Sequence, residues 1–220
     1  MKSEIKGEPA FAFVEITLDI GESVTAESDA MSTMSVGLTM TTHFNGGFFR
    51  GLFRKMFGGE TLFVNTFTNN TEFPKMITLV QPTPGAVREI DLENGGIFVQ
   101  PGAFLCATPG IGYQTRWAGF ASWFGGEGLF RNGIYGTGRV WIGAYGALIE
   151  REVEGELIVD GGHLVAYDPG VKLKVGLAGG IFSSLFGGEG FITRVSGTGK
   201  VMIQTRSIQG LASWLNSKIY

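Results

Sequence analysis

The stretch ASWFGGEGLF (121–130) occurs in three versions along this chain. SSLFGGEGFI (183–192) is a close copy of it, and RKMFGGETLF (54–63) is a more diverged one. An element that returns at intervals of about sixty residues is typical of proteins built from tandem structural units. The shared Phe-Gly-Gly-Glu motif is therefore the starting point for the organisation of the chain.

A second element repeats in the same order. GGIFVQPGAFLCAT (95–108) matches GELIVDGGHLVAYD (155–168) at a constant offset of 60 residues, and GESVTAESDAMSTM (21–34) matches both with one gap. After the motif, two of the copies continue with GTGRV (136–140) and GTGKV (197–201), whereas the first copy lacks this run. The repeat therefore extends well beyond the motif itself.

Apolar and polar residues alternate over short spans bounded by Gly, Pro or Asp, a pattern that indicates short strands with tight turns. The alternating spans are 13–20, 88–99, 138–146, 154–159 and 199–207. Helical periodicity is limited to short stretches before each motif and to SIQGLASWLNSKIY (207–220), which could add a turn or two of helix. The sequence therefore predicts an all-β protein with few short helices.

The repeat divides the predicted fold into three tandem diverged β-units, at residues 1–77, 78–149 and 150–220. Units of this size are near the lower limit for an independent core. We therefore expect them to pack around a shared interior with pseudo-threefold symmetry and to form one compact domain. Each motif is expected to be a turn, in which two glycines let the chain reverse and the Glu accepts hydrogen bonds from freed backbone N–H groups.

The composition narrows the classes of protein to which the chain can belong. The formal net charge of −3 argues against nucleic acid as the main partner, because nucleic-acid binding normally leaves a basic surface. Cys106 is the single cysteine, so no disulfide can form within the chain, and a reducing compartment is expected. The sequence shows no secretion signal and no long apolar run. We expect a cytoplasmic protein, with peripheral membrane contact as an open alternative.

The three motif copies, the Gly-x-Gly-x-Val strands and QPGAFLCAT (100–108) resemble the family named for altered inheritance of mitochondria. This mitochondrial-biogenesis family has prokaryotic members that were formerly described as a domain of unknown function. The resemblance implies β-units like those of the tryptophan RNA-binding attenuation protein, often grouped with double-stranded β-helices, and a homo-oligomer such as a ring or trimer. It links the mitochondrial members to inner-membrane organisation and supplies no catalytic residue. The first unit departs from the pattern because it lacks Gly-Thr-Gly.

Few residues could carry chemistry, and most have a structural explanation. Glu60, Glu127 and Glu189 are equivalent in the repeat and could bind Ca²⁺ or Mg²⁺ if they converged, but we expect each to cap its own turn. His43 and His163 are the only histidines, which argues against a His-rich zinc site, and no Ser/Asp partner accompanies them at motif level. We therefore expect no enzyme, no catalytic residue, no cofactor and no metal.

GTGK (197–200) is similar to a phosphate-binding loop only superficially. The preceding Gly at Walker spacing and the following Ser or Thr are missing, and a strand rather than a helix is expected next. GTGR (136–139) in the preceding unit indicates that this run is a repeated turn.

Aromatic side chains are concentrated in and just before the three motifs. We call the stretches 46–60, 117–127 and 179–189, each of which ends with the Glu of its motif, the aromatic segments. The candidate interaction surface consists of Phe49, Arg50, Phe53, Arg54, Phe57, Trp123, Phe124, Phe182 and Phe186. These rings either fill gaps between β-units or project as an apolar patch that docks a protein partner or rests in a membrane interface. We predict a non-enzymatic scaffold that supports membrane-associated complexes through them. The alternatives are a small-molecule or metal-binding module with its site between units, and RNA binding by analogy of fold.

Overall fold

The computed structural model describes residues 1–44, 63–117, 130–177 and 191–219, and strands account for most of them. The regular structure of these residues is completed by a 3-10 turn at Gly161–His163 and by one α-helix, α1 (Ile208–Ile219). The strands are β1 (Lys2–Lys6), β2 (Phe13–Leu18), β3 (Ser23–Glu27), β4 (Met31–Met34), β5 (Leu38–Phe44), β6 (Phe63–Asn69), β7 (Lys75–Val80), β8 (Val87–Val99), β9 (Phe104–Ala107), β10 (Ile111–Trp117), β11 (Phe130–Gly143), β12 (Leu148–Glu152), β13 (Glu156–Asp160), β14 (Leu164–Tyr167), β15 (Val171–Leu177), β16 (Phe191–Gly197) and β17 (Lys200–Gln204). The expectation of an all-β protein is confirmed.

Alternation of side chains explains why these segments are strands. In β2 the side chains of Val14, Ile16 and Leu18 are buried, and those between them are only partly covered. β3 repeats this alternation with Val24 and Ala26. Each alternating span of the sequence overlaps a strand of the structure. One face of each strand thus contributes to the core while the other remains accessible.

The described strands form three sheets in which neighbours are antiparallel. The first has the order β1-β2-β7-β4, and the third has the order β13-β16-β15. The remaining described strands join one large sheet. Its order is β12-β17-β14-β8-β11-β9-β3-β6-β5, with β10 also paired to β11.

One pattern of strand pairing occurs three times along the chain. In the first third, β2 and β4 flank β7, while β3 and β5 flank β6. In the last third, β12 and β14 flank β17, while β13 and β15 flank β16. In the middle, β8 and β11 are each continuous, and β11 pairs with β8, β9 and β10. This recurrence runs parallel to the sequence repeat. The division into three tandem units at 1–77, 78–149 and 150–220 and their pseudo-threefold packing stay predictions.

Neighbouring repeats are joined at two junctions, β9 with β3 and β14 with β8, both antiparallel. The hydrophobic core crosses these junctions. One cluster unites Ile16 and Ile77 of the first repeat with Trp141 of the second. Another unites Ile134 of the second repeat with Val165 of the third. Each repeat therefore depends on its neighbour to bury apolar surface, which is the main stabilising contribution to folding.

The Gly-Thr-Gly runs mark points where two backbone segments come very close. A Cβ added at Gly136 would lie 2.1 Å from the Gly110 oxygen, and one added at Gly197 would lie 2.4 Å from the Gly170 oxygen. Gly136 and Gly197 both have positive φ, at 130° and 100°. In the third repeat the run separates β16 from β17, but in the second it is a bulge within β11 between Gly136 and Gly138. The expectation of a turn at both places is wrong for the second repeat.

The first repeat lacks Gly-Thr-Gly, and a buried asparagine organises its connection between β6 and β7. Asn69 Nδ2 donates to the carbonyls of Leu18 and Phe73, both at 2.9 Å. Asn69 Oδ1 accepts from the N–H of Thr71 at 3.0 Å and from its hydroxyl at 2.7 Å. These contacts fulfil the whole hydrogen-bonding capacity of a side chain that has no exposed surface.

Candidate interaction surface

Each aromatic segment connects the two arms of an antiparallel strand pair. The last paired residues are Phe44 with Phe63, Trp117 with Phe130, and Leu177 with Phe191. Directly opposite residues of such a pair have Cα atoms about 4.5–5.5 Å apart, so each segment leaves and rejoins its sheet at one place. The strand pairs are the equivalent ones of the repeat, namely β5–β6, β10–β11 and β15–β16. All three segments therefore depart from corresponding points of the fold.

The residues of the predicted interaction surface and the three carboxylates all belong to these segments. Outside the described residues lie Phe49, Arg50, Phe53, Arg54, Phe57, Glu60, Trp123, Phe124, Glu127, Phe182, Phe186 and Glu189. The exposure of the rings and the capping role of the carboxylates stay predictions.

The two histidines and the cysteine lie in different parts of the fold. His43 is exposed on β5, and His163 Nδ1 donates to the Gln204 carbonyl at 2.7 Å, which ties the 3-10 turn to β17. Cys106 is fully buried in β9, and burial raises the pKa of its thiol well above the ordinary value. In the part of the chain that the structure describes, no group of three or more His, Cys, Asp or Glu could hold a metal ion. Burial therefore keeps the Cys106 thiol protonated and enclosed in the core.

The residues around GTGK are engaged in structural hydrogen bonds. The backbone N–H of Lys200 donates to Asp168 Oδ2 at 2.8 Å, and its Nζ donates to Glu150 Oε1 at 2.9 Å. The hydrogen bond to Glu150 raises the pKa of Lys200. In the second repeat, the N–H of Arg139 donates to Thr108 Oγ1 at 2.9 Å in the same way. Since Lys200 also begins a strand, the run is a repeated structural element and not a phosphate-binding loop.

A cleft of about 290 Å³ lies where β8 faces β12, β14 and β17, at the junction of the second and third repeats. Its charged lining consists of Arg88, Glu89, Asp91, Glu150, Asp168 and Lys200. Glu150 pairs with Lys200, and Glu89 Oε1 lies 3.6 Å from Arg139 Nη1. Much of the charge in the cleft is therefore compensated within the protein. The cleft therefore combines both signs of charge and does not concentrate one sign for an ionic ligand.

Helix α1 presents an apolar face that is largely accessible, since none of its described residues is buried and only Ile208 among them lines a cleft with Leu164 and Val165 of β14. Ile208, Leu211, Leu215 and Ile219 recur at spacings of three and four residues and share one face, with Trp214 beside them. Trp214 is 60% exposed, and Leu211 and Leu215 are 39% and 41% exposed. The face is accessible along its whole length.

The opposite face of α1 is small and polar, with Ser213 and Ser217 near its centre. From residue 205 to 219, the charged residues are Arg206 and Lys218, and there is no Asp or Glu. The helix begins at a capping serine, because the N–H of Gly210 donates to Ser207 Oγ at 3.0 Å. No helix in the described ranges combines the length and the apolar character needed to span a membrane.

Sequence reasoning found the helical character of this segment but underestimated its extent. The expectation was a turn or two, whereas α1 continues from Ile208 to Ile219. The signal was present in the sequence as Ser207, a preferred capping residue, followed by apolar residues at helical spacing.

Known proteins are similar to this chain along nearly its whole length. An uncharacterised protein of Streptococcus pyogenes serotype M6 is 26% identical over 224 residues, covering 98% of this chain and 90% of that protein. The crystal structure of another Streptococcus pyogenes protein superposes with a TM-score of 0.81 at 24% identity, covering 99% of both chains, and supports the fold. The family model described as mitochondrial biogenesis AIM24 matches residues 3–206, and the chain therefore belongs to this family.

Proposed function

We propose that the protein is a non-enzymatic, self-associating scaffold that rests on a membrane surface through helix α1 and the aromatic segments. The observation that carries this proposal is the exposed apolar face of α1. Water contact with Leu, Ile and Trp side chains is unfavourable, and a contiguous apolar face of this kind marks a surface that binds something. Helices with one apolar and one polar face commonly lie in the plane of the lipid interface.

The composition of α1 favours a lipid surface as its partner. Trp214 has an apolar ring and a polar N–H, a combination suited to the boundary between lipid headgroups and acyl chains. Lys218 can bury its methylene groups along the apolar face while its ammonium meets the headgroups. Since Arg206 and Lys218 are the charged residues here, this end of an otherwise acidic protein is positive and complements anionic lipid. The resemblance links the family's mitochondrial members to inner-membrane organisation, which also favours a lipid surface as the partner of α1.

Flotation with lipid vesicles tests the proposal. The variant Leu211→Asp with Leu215→Asp alters the apolar face, and Ser213→Asp with Ser217→Asp adds the same charge to the polar face. Full burial of a Leu contributes about 1.5–3 kcal/mol, so covering the remaining two-fifths of Leu211 and Leu215 contributes about 1–2 kcal/mol in total. We therefore expect the Leu variant to bind vesicles at least about tenfold more weakly.

The serine variant is the matched control. On phosphatidylcholine vesicles, where its added charge matters least, it should bind within about threefold of the wild type. Adding phosphatidylglycerol should strengthen wild-type binding. The proposal fails if the wild type does not float with either lipid, or if both double variants bind equally. Recovery of a protein partner that depends on Leu211 and Leu215, without vesicle binding, would assign α1 to protein docking instead.

A further inference from the structure

Two strand edges at opposite ends of the repeat pattern are unpaired within the described chain. β4 pairs with β7 on one side, and β13 pairs with β16 on one side. Their counterparts in the other repeats are paired on both sides: β9 and β14 correspond to β4, and β3 and β8 correspond to β13. Each of the two internal junctions thus joins an edge of the β4 type to an edge of the β13 type. The edges of β4 and β13 themselves are left without a partner strand among the described residues.

The equivalence of β4, β9 and β14 rests on a hydrogen-bond arrangement that all three share. The residue after each strand accepts through its side-chain oxygen from a backbone N–H on the neighbouring strand. The pairs are Ser35 with Met76, Thr108 with Arg139, and Asp168 with Lys200, at 3.0, 2.9 and 2.8 Å. In each pair the backbone N–H of the acceptor residue also donates back to the partner's carbonyl. Met34, Ala107 and Tyr167, which directly precede these residues, are therefore equivalent.

The register of the internal junctions predicts which residues the free edges would bring together. The junctions pair Tyr167 with Phe98 and Ala107 with Thr25. Ile158 is the counterpart of Phe98 at the 60-residue offset of the repeat, and Met34 is the counterpart of Tyr167. An edge contact built like the other two would therefore pair Met34 with Ile158.

The exposure of these residues indicates an unfilled contact. Met34 is 40% exposed and Ile158 is 53% exposed, whereas every residue of β9 and β14 is buried. We propose that β4 of one copy of this chain pairs antiparallel with β13 of a second copy, with Met34 opposite Ile158. The contact continues the series of junctions already present within the chain. Because it joins two different surfaces, it links copies head to tail into a ring or an open chain.

This inference deepens the self-association of the proposed scaffold and does not involve α1. Vesicle binding and edge pairing can therefore fail separately. An exposed edge with apolar side chains is a template for pairing with another chain. Small monomeric proteins usually block such edges with charge or proline, and neither Met34 nor Ile158 provides this protection.

Disulfide cross-linking between two singly substituted proteins tests the contact. Full-length Met34→Cys and Ile158→Cys proteins are mixed and mildly oxidised, and a covalent heterodimer is expected, because directly opposite strand residues meet the distance requirement of a disulfide. A mixture of Met76→Cys with Ile158→Cys is the control, since Met76 is also exposed but lies on β7. Cys106 is buried, so it should not contribute.

The protein with both substitutions separates contact between copies from closure within one copy. Pairing between copies gives a ladder of covalent dimers and larger species on a non-reducing gel. A cross-linked monomer as the main product would overturn the proposal, because it would show that the two edges meet within one chain. Absence of a heterodimer from the mixed proteins, when both thiols react with a soluble reagent, would overturn it as well.

A charge exchange tests the register without covalent bonds. Met34→Lys should weaken self-association at least about tenfold in sedimentation velocity, because it replaces an apolar contact with a charge. Adding Ile158→Glu to the same chain should recover much of this loss, whereas adding Ile158→Lys should not, because opposite charges directly across a strand pair attract. A wild type that stays monomeric at all accessible concentrations would refute the proposed contact.

Discussion

Replacing Asn69 with Ala tests whether one buried side chain holds the β6–β7 connection. The change removes two donor contacts, to Leu18 and Phe73, and two acceptor contacts from Thr71. The Leu18 carbonyl is enclosed, and leaving such a group unsatisfied costs about 1–3 kcal/mol. The other contacts border solvent, and water can replace part of their contribution of about 0.5–1.5 kcal/mol each. We therefore expect Asn69→Ala to lower the free energy of unfolding by about 3 kcal/mol.

Urea unfolding followed by circular dichroism measures this loss, with Asn70→Ala as the control. Asn70 is exposed and makes one long contact, 3.3 Å from its Nδ2 to Thr39 Oγ1, so its replacement should cost less than about 0.5 kcal/mol. Asn69→Asp keeps the acceptor but loses both donors and buries a charge. It should be at least as unstable as Asn69→Ala at neutral pH and recover partly when acid protonates the carboxyl. Equal midpoints for Asn69→Ala and Asn70→Ala would refute the reasoning.

Two further predictions concern Gly136 in β11 and Cys106 in β9. Gly136→Ala should lower the free energy of unfolding by at least about 2 kcal/mol, because φ is positive there and the Gly110 oxygen leaves no room for a Cβ. The control is Gly112→Ala, since the atom nearest to a Cβ there would be 3.7 Å away. In the same urea titration it should cost less than about 1 kcal/mol. Cys106 should resist a thiol reagent at neutral pH in the native protein and react fully in denaturant, because burial keeps the thiol protonated and enclosed. Rapid labelling of the native protein would contradict its place in the core.

The strands with clear alternation could be predicted from the sequence, but the full length of β11 could not. Gly133, Gly136 and Gly138 look like a turn, because glycine usually interrupts strands. In the structure, Gly133 and Gly96 accommodate the ring of Tyr135, which lies 2.4 Å from where a Cβ on either glycine would be. The glycines thus permit a large side chain to cover the strand, and this tertiary cause is not visible in a local pattern.

The sequence placed each aromatic segment before a glycine turn, and the structure defines the strand pair that each segment connects. It did not reveal the free edges of β4 and β13, because an edge is defined by the absence of a neighbour and that depends on long-range pairing. The equivalents of Met34, which are Ala107 and Tyr167, are buried, and those of Ile158, which are Thr25 and Phe98, are partly buried. In the sequence, Met34 and Ile158 themselves look like ordinary strand residues. Their exposure becomes apparent only when all three repeats are compared in the structure.

The continuity of β8 and β11 has a mechanical consequence. The middle repeat contains a two-stranded ribbon whose strands are each continuous, from Val87 to Val99 in β8 and from Phe130 to Gly143 in β11, with one bulge between Gly136 and Gly138. The corresponding ribbons at both ends are interrupted, between β2 and β3 and between β12 and β13. At each end the paired ribbon is divided between two sheets, so bending there would not require a continuous strand to deform. In the proposed head-to-tail chain, each copy would then be stiffest in its middle repeat and would bend most easily near each link.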